Sequence, residues 1–451
     1  MRLDVATPPN LLKETKSRCP SCNAVIPAIV VDEGGRVVMR KRCPTHGDFR
    51  VTVAKDRRFW HASTGAGDCC GSGGCCAPAT PKKGGRSKFR GPFETLSTCI
   101  ALIEIVESCN LTCPTCYAAS PFGVRDDVQA PTFDEIVARI GSVIERKGVI
   151  DIVQLSGGEP TIHPRFFDIL EWTIDHPKIG YVLVNTNGVR IATDDAFRER
   201  LAALRRAKGK FELYVQFDGT QEEGQRELRG ADLRKIRTDA IDGAGALGVP
   251  STLAMTVTPQ TLLHVGDTLR YGLERRHVRG ITLQPVFTSG RVATVDSRLP
   301  IAHADPEPLS VGDVILALVD QAHELVGVED FTPLPCGDPN CHTIGYLLRT
   351  ANGPQRLSAL VDLAAVQGFL KDRVDYRLED LAKCGCESEP LGAILKSLEL
   401  SPDAPFRIFV KPFMDAWTFD QDRIDRCCTH VIREDGSLDS FCRHYLGAGR
   451  R

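Results

Sequence analysis

The feature that most constrains this chain is a regular alternation over residues 98–290. Apolar, β-branched runs recur about every 30 residues, at Ile100–Val106, Ile150–Leu155, Tyr181–Val184, Leu213–Phe217, Thr252–Val257 and Ile281–Val286. Amphipathic stretches lie between them. In the first, Phe133, Ile136, Val137, Ile140, Val143 and Ile144 share one face of a helix, and Thr132 with Glu135 fits a capping box at its start. Phe197, Leu201 and Leu204 mark another helix. Strand–helix units in succession predict parallel strands with right-handed crossovers. Six units fall short of a closed eightfold barrel, so the expected form is α/β, a partial (β/α)6 barrel. Its chemistry belongs at the C-terminal strand ends.

Cysteine is the compositional anomaly. The 451 residues include 18 cysteines, too many for an intracellular enzyme that merely packs thiols. Disulfides are disfavoured in a reducing cytosol, and a chain of this length needs no staples. The cysteines fall in pairs and triplets at metal-ligand spacing, so a metalloprotein with several centres is expected. The 56 basic residues nearly balance 58 acidic ones, which gives no reason to expect a nucleic-acid partner. No apolar run reaches the length of a membrane-spanning helix, and the N-terminus MRLDVATPPNLLKETK lacks a secretion signal. A cytoplasmic protein is expected, meeting a membrane only at its periphery if at all.

Composition divides the chain into residues 1–60, a compact polar metal knuckle; 61–97, a Gly-, Ala- and Cys-rich loop and linker; 98–290, the barrel; and 291–451, a C-terminal domain with the last cysteines.

Cys109, Cys113 and Cys116 leave the first barrel strand in the loop Glu107-Ser-Cys-Asn-Leu-Thr-Cys-Pro-Thr-Cys-Tyr117. Three thiolates can hold three irons of a cubane and leave the fourth open to a chelating ligand. The amino and carboxylate groups of S-adenosylmethionine suit that iron, and one electron passed through the cluster can break a carbon–sulfur bond to give a 5′-deoxyadenosyl radical. A zinc knuckle is the alternative, but no fourth ligand follows within the loop.

These residues resemble the radical S-adenosylmethionine superfamily. Ser156-Gly157-Gly158-Glu159-Pro160 at the second strand end looks like that superfamily's GGEP motif, which contacts the methionine amino group. The resemblance assigns catalytic chemistry to the triplet and cofactor contacts to Tyr117 and to Gly157, Gly158, Glu159 and Pro160. Asn185 and Asn187 at the third strand end, with Gln216 and Asp218 at the fourth, occupy the same rim. Their alternative role is turn chemistry.

Three further metal sets are expected. Cys19-x2-Cys22 and Cys43-x2-His46 make a four-ligand site of rubredoxin or zinc-ribbon type, completed by His46 or by a later cysteine and accepting zinc or iron. Cys69, Cys70, Cys75, Cys76 and Cys99 suggest a second cluster or a thiol-rich loop. Cys336, Cys341, Cys427 and Cys442 suggest another cluster, with Cys384 or Cys386 as substitutes.

The order of these motifs, together with Gln284-Pro285-Val286, Ser289-Gly290-Arg291 and Phe413-Met414-Asp415-Ala416, most resembles the tetraether lipid synthase group, once read as a methylase of a pterin precursor. The likeness covers nearly the whole chain. It departs in the vicinal cysteine pairs of the loop and after Cys341. It implies up to three 4Fe-4S clusters, S-adenosylmethionine, a mononuclear iron or zinc, and a donor such as ferredoxin or flavodoxin. It also implies hydrogen abstraction from alkyl carbon with C–C bond formation on lipid chains. The alternatives are a radical methylase of a pterin-like molecule, a ribosomal-peptide maturase, or a non-enzymatic zinc-ribbon binding protein.

Overall fold

A computed structural model describes residues 9–61, 92–95, 98–293, 307–333, 337–360 and 404–446. The first segment is a four-stranded antiparallel meander of β1 (Leu11–Arg18), β2 (Val25–Glu33), β3 (Arg36–Cys43) and β4 (Gly47–Ala54). Burial alternates along β2 and β3, as expected where one sheet face is covered. Val30, Val37, Met39 and Val51 pack beneath Trp60.

The second sheet carries the six strands that the alternation predicts, each within a few residues of its apolar run: β5 (Ile100–Val106), β6 (Ile150–Gly157), β7 (Ile179–Thr186), β8 (Phe211–Gln216), β9 (Ser251–Val257) and β10 (Val278–Pro285). They pair in chain order, all parallel. The helix Phe133–Lys147 starts on the expected capping box, with the Thr132 hydroxyl accepting from Glu135 N–H and the Glu135 carboxylate accepting from Thr132 N–H. It buries Ile136, Ile140, Val143 and Ile144 against the sheet. The helix Asp195–Lys208 does the same with Phe197, Leu201 and Leu204.

The parallel set does not stop at six. β14 (Pro405–Val410) adds alongside β10, and β15 (Thr429–Ile432) adds alongside β5, both parallel. Antiparallel strands then cover these edges: β12 (Thr343–Thr350), itself flanked by β11 (Thr332–Pro333) and β13 (Gly353–Arg356), lies on β14, and β16 (Leu438–Ser440) lies on β15. Within the expected C-terminal domain, 291–451, the described strands supply both margins of the sheet. A six-stranded parallel sheet has two bare edges of unpaired N–H and C=O groups, and the C-terminal segment satisfies them.

All eight parallel strands line one cavity. Leu102, Gln154, Asn185, Tyr214, Thr252, Gln284, Phe409 and Thr429, one from each strand, face it. The ribbon docks on this body through Lys13, whose buried ammonium meets Asp420 at 2.7 Å, and through the Phe49 ring against Trp417. Among the described residues, no helix is long and apolar enough to cross a membrane.

Candidate active site and thiol centres

The cysteine loop springs from the C-terminal end of β5 and turns back on itself. Cys109 N–H donates to Pro121 O, and Gly123 N–H donates to Cys109 O. All three thiols of Cys109, Cys113 and Cys116 face the cavity, with Tyr117 beside them. Burial pushes the Cys109 thiol up to about 12, with Glu159 and the other two thiols adding to the effect. Cationic charge such as iron would favour the thiolate there. The donor set fits a three-cysteine cubane.

Gly157 and Gly158 end β6 against this loop. A Cβ on Gly157 would lie 2.0 Å from Val106 O, and one on Gly158 would lie 2.1 Å from Ser108 O. Gly157 also sits at φ 125°. Their bareness lets the two strand ends touch: Gly158 N–H donates to Val106 O and Glu159 N–H to Ser108 O. Both glycines line the cavity, as the sequence leads one to expect, and they also pack against the backbone that carries the cysteines.

Glu159 is buried, and its carboxylate accepts from the Thr161 hydroxyl (2.6 Å), the Thr186 hydroxyl (2.8 Å) and Asn187 N–H (2.7 Å). Burial raises its proton affinity while these donors oppose the rise. It stitches β6 to β7. Pro160 opens the short helix that follows. The Asn187 side chain donates to Asn110 Oδ1 at 2.7 Å, reaching into the cysteine loop. Asn185 accepts from Gln154 (2.5 Å) and donates to Ser156 (3.0 Å), and all three side chains line the cavity.

The fourth strand end departs most from expectation. Gln216 lines the cavity, but Asp218 lies beneath the rim, fully buried at φ 61°. Its carboxylate takes Arg229 Nε at 2.6 Å, Arg237 Nη1 at 3.1 Å, Gln216 Nε2 at 2.8 Å and Thr256 N–H at 3.0 Å. Burial would raise its pKa, but the two guanidinium groups overcome that and hold it at about 2. Asp218 thus orients the arginines, and Arg229 and Arg237 line the cavity in its place. Sequence reading missed both. They sit on helices, eleven and nineteen residues beyond their partner, with no spacing signal to betray the contact.

In the ribbon, Cys19, Cys22, Cys43 and His46 place one ligand atom each within 4.8 Å of one another. Cys19 Sγ lies 3.7 Å from His46 Nδ1, Cys43 Sγ lies 3.5 Å from it, and Cys22 and Cys43 Sγ are 3.9 Å apart. A tetrahedron with zinc–ligand bonds of about 2.1–2.3 Å has edges of roughly 3.5–3.8 Å, so the set fits one ion. His46 completes it, and no later cysteine is needed. His46 and backbone N–H groups draw the Cys43 thiol down to about 6, which favours the thiolate a metal takes.

The C-terminal thiols gather where the two margins of the sheet approach. Cys341 precedes β12, Cys427 and Cys428 precede β15, and Cys442 follows β16. The Lys411 ammonium, just past β14, feels all four. Arg423 Nη2 lies 3.6 Å from Cys341 Sγ, and Met414 N–H donates to Cys442 Sγ at 3.3 Å. Cys428, absent from the expected set, lines the cavity. Cys336, Cys384 and Cys386 lie outside the described residues, as do Cys69, Cys70, Cys75 and Cys76. Cys99 is buried at the start of β5, where its N–H donates to Cys428 O.

Comparison with known proteins covers the triplet and the ribbon. Residues 103–272 match the radical SAM superfamily, and residues 11–55 match the HMPTM N-terminal zinc ribbon domain. The chain is 26% identical to a 7,8-dihydro-6-hydroxymethylpterin dimethyltransferase of Methanocaldococcus jannaschii, over 96% of this chain and 93% of that protein. It is 30% identical to the mycofactocin maturase MftC of Mycobacterium ulcerans, over 43% of this chain and 48% of that one. Among solved structures, Streptococcus suis SuiB bound to its precursor peptide SuiA aligns over 52% of each chain, with 15% identity and a TM-score of 0.39. Residues 103–272 form a radical SAM domain, and the chain is a radical SAM iron–sulfur enzyme with a metal-binding ribbon over residues 11–55.

Proposed function

We propose that this enzyme is a radical methyltransferase acting on a pterin-like, nitrogen-rich planar molecule. The observation that carries the reading is a band of amide and hydroxyl side chains on a cavity wall that is otherwise mostly apolar. Gln154, Asn185, Tyr214, Thr282 and Gln284 line it from four strands, at positions that packed barrels fill with Val, Ile and Leu. Gln284 donates to the Tyr214 hydroxyl at 2.9 Å, and Gln154 to Asn185 at 2.5 Å. These groups pair with one another, and an alkyl chain laid along the band would offer nothing to the donors and acceptors they have left over. A heterocycle with donors and acceptors on its edge answers them. The likeness to a pterin dimethyltransferase along nearly the whole chain supports the same reading.

Bound at the triplet, a 4Fe-4S cluster supplies the electron that cleaves S-adenosylmethionine. The chain's own residues do the rest. Cys109, Cys113 and Cys116 hold the irons. Gly157 and Gly158 let β6 close on their loop. Arg229 and Arg237, oriented by Asp218, present positive charge beside Cys113. Cys341, Cys427 and Cys442, with Cys336 from outside the described residues, hold an auxiliary cluster that ties the sheet margins together. A ferredoxin or flavodoxin supplies electrons.

One observation favours a second reading, alkyl-chain coupling on lipids. Phe287, Phe413 and Phe441 form an apolar wall at one side of the cavity, with Phe413 and Phe441 stacked at 4.2 Å. The deciding assay incubates the reconstituted, reduced enzyme with S-adenosylmethionine and either 7,8-dihydro-6-hydroxymethylpterin or a dialkyl glycerol phospholipid. Mass spectrometry follows 5′-deoxyadenosine and each substrate. Methylated pterin with a matching rise in 5′-deoxyadenosine supports the proposal. Stimulation by the phospholipid alone, with loss of lipid hydrogen, overturns it.

A further inference from the structure

We propose that residues 288–291 are a strap through which the ribbon and the loop after β14 hold the radical-site cysteines in register, with Arg291 as the positioning residue. The inference rests on the triplet being the cluster site.

The strap leaves β10 and crosses to the cysteine loop. Arg291 N–H donates to Cys116 O at 2.9 Å, and its guanidinium donates to Cys113 O at 3.0 Å and to Ser120 O. Arg291 thus grips two of the three cysteines by their carbonyls, Cys116 through its backbone N–H and Cys113 through its guanidinium. Gly290, at φ 54°, passes so close that a Cβ would lie 2.3 Å from both Cys116 O and Tyr117 O. The Ser289 hydroxyl bridges Tyr117 O, at 3.2 Å, and Tyr445 O on the helix that carries Cys442.

The other end of the strap is anchored outside the radical domain. Thr288 N–H donates to Asp415 Oδ2 at 2.9 Å. The other oxygen of Asp415 accepts from Trp417 N–H, Thr418 N–H and the Thr418 hydroxyl, each at 3.0 Å. That turn presents Ala416 O and Trp417 O to the ammonium of Lys41, at 2.6 and 2.7 Å. Lys41 lies on β3 of the ribbon, two residues before Cys43, and is buried. A path of hydrogen bonds and short stretches of backbone therefore runs from the ribbon, by way of Lys41, the Asp415 turn and residues 288–291, to Cys113 and Cys116. The three thiols that would hold a cluster ride on the loop that Arg291 grips. The ribbon acts as a buttress of the radical site.

The test compares wild type, Arg291→Gln, Arg291→Lys, Ser289→Ala and Lys41→Met as full chains with their clusters reconstituted. Electron paramagnetic resonance of the reduced cluster is recorded against S-adenosylmethionine concentration, alongside zinc and iron content and circular dichroism. Arg291→Gln should keep its secondary structure and metals but need roughly tenfold more S-adenosylmethionine for half of the spectral change, from the loss of about two charge-assisted hydrogen bonds. Lysine, with one point of donation, should not restore the wild-type value. Lys41→Met should keep its ribbon metal and move the spectrum in the same direction by less. Ser289→Ala, which removes only a hydroxyl, is the milder probe should Arg291→Gln not fold. An unchanged concentration dependence in the Arg291 or Ser289 variants overturns the strap, and an unchanged Lys41→Met overturns the ribbon's part in it. If the wild type shows no spectral response to S-adenosylmethionine, the reading of the triplet as cluster site fails first and takes the strap with it.

Discussion

Asp218→Asn is the sharpest test of how this site is built. The aspartate is fully buried, and its carboxylate faces two guanidinium groups, Arg229 and Arg237, whose side chains are 9% and 0% exposed. The substitution keeps the shape and removes the charge. Both arginines then remain buried without their counter-ion, and breaking a buried pair from one side costs about 3–5 kcal/mol. The pKa gives an independent figure. A group held at about 2 against an ordinary 3.8 contributes roughly 2–2.5 kcal/mol. The folded value is the lower one. That stability is therefore present above pH about 4 and is lost as pH falls toward 2. Urea unfolding of the reconstituted protein at pH 7, followed by helical circular dichroism, should show a midpoint lowered in proportion. The asparagine variant should also lose Asp218's share of the wild type's sensitivity between pH 4 and 2, while that of Asp232 and the other depressed carboxylates remains. Asp218→Leu combined with Arg237→Met should be less damaging than the sum of the single changes, because the double variant strands one cation fewer. A loss under about 1 kcal/mol for Asp218→Asn, or strict additivity in the double variant, would refute the argument that Asp218 serves the arginines.

Cys113→Ala should abolish S-adenosylmethionine cleavage, read as 5′-deoxyadenosine; retained cleavage would remove the triplet from the chemistry. Gly158→Ala should lower both soluble yield and reconstituted iron, because its Cβ would meet Ser108 O at 2.1 Å; a variant that loads iron like the wild type would mean that the strand ends separate easily. Cys442→Ala should keep some cleavage and lower iron by about four atoms, one cubane; unchanged iron analysis would disprove the auxiliary cluster. His46→Ala should release the ribbon metal, measured by elemental analysis, and a full complement of metal would show that the three sulfurs suffice.

Local pattern carried much of this protein. The six central strands and their helices were legible because continuous apolar runs and period-3.6 burial are written residue by residue, and the capping box at Thr132 and Glu135 lies within one turn. The triplet and the ribbon ligands were legible for the same reason: Cys113 and Cys116, Cys19 and Cys22, and Cys43 and His46 each meet a metal from within a few residues. The partners of Asp218 were not, because burial and charge pairing arise only when helices fold over the strand end. Nor was the role of Gly157 and Gly158, whose need for a bare Cα comes from a second strand about fifty residues away. The margins of the sheet were hidden too, since β14 and the four-residue β15 are ordinary short runs until β10 and β5 offer them open edges. The sequence determined which chemistry the chain can hold. The tertiary structure decided which side chains face that chemistry and which hold it in place, because those assignments depend on contacts between residues far apart in the chain.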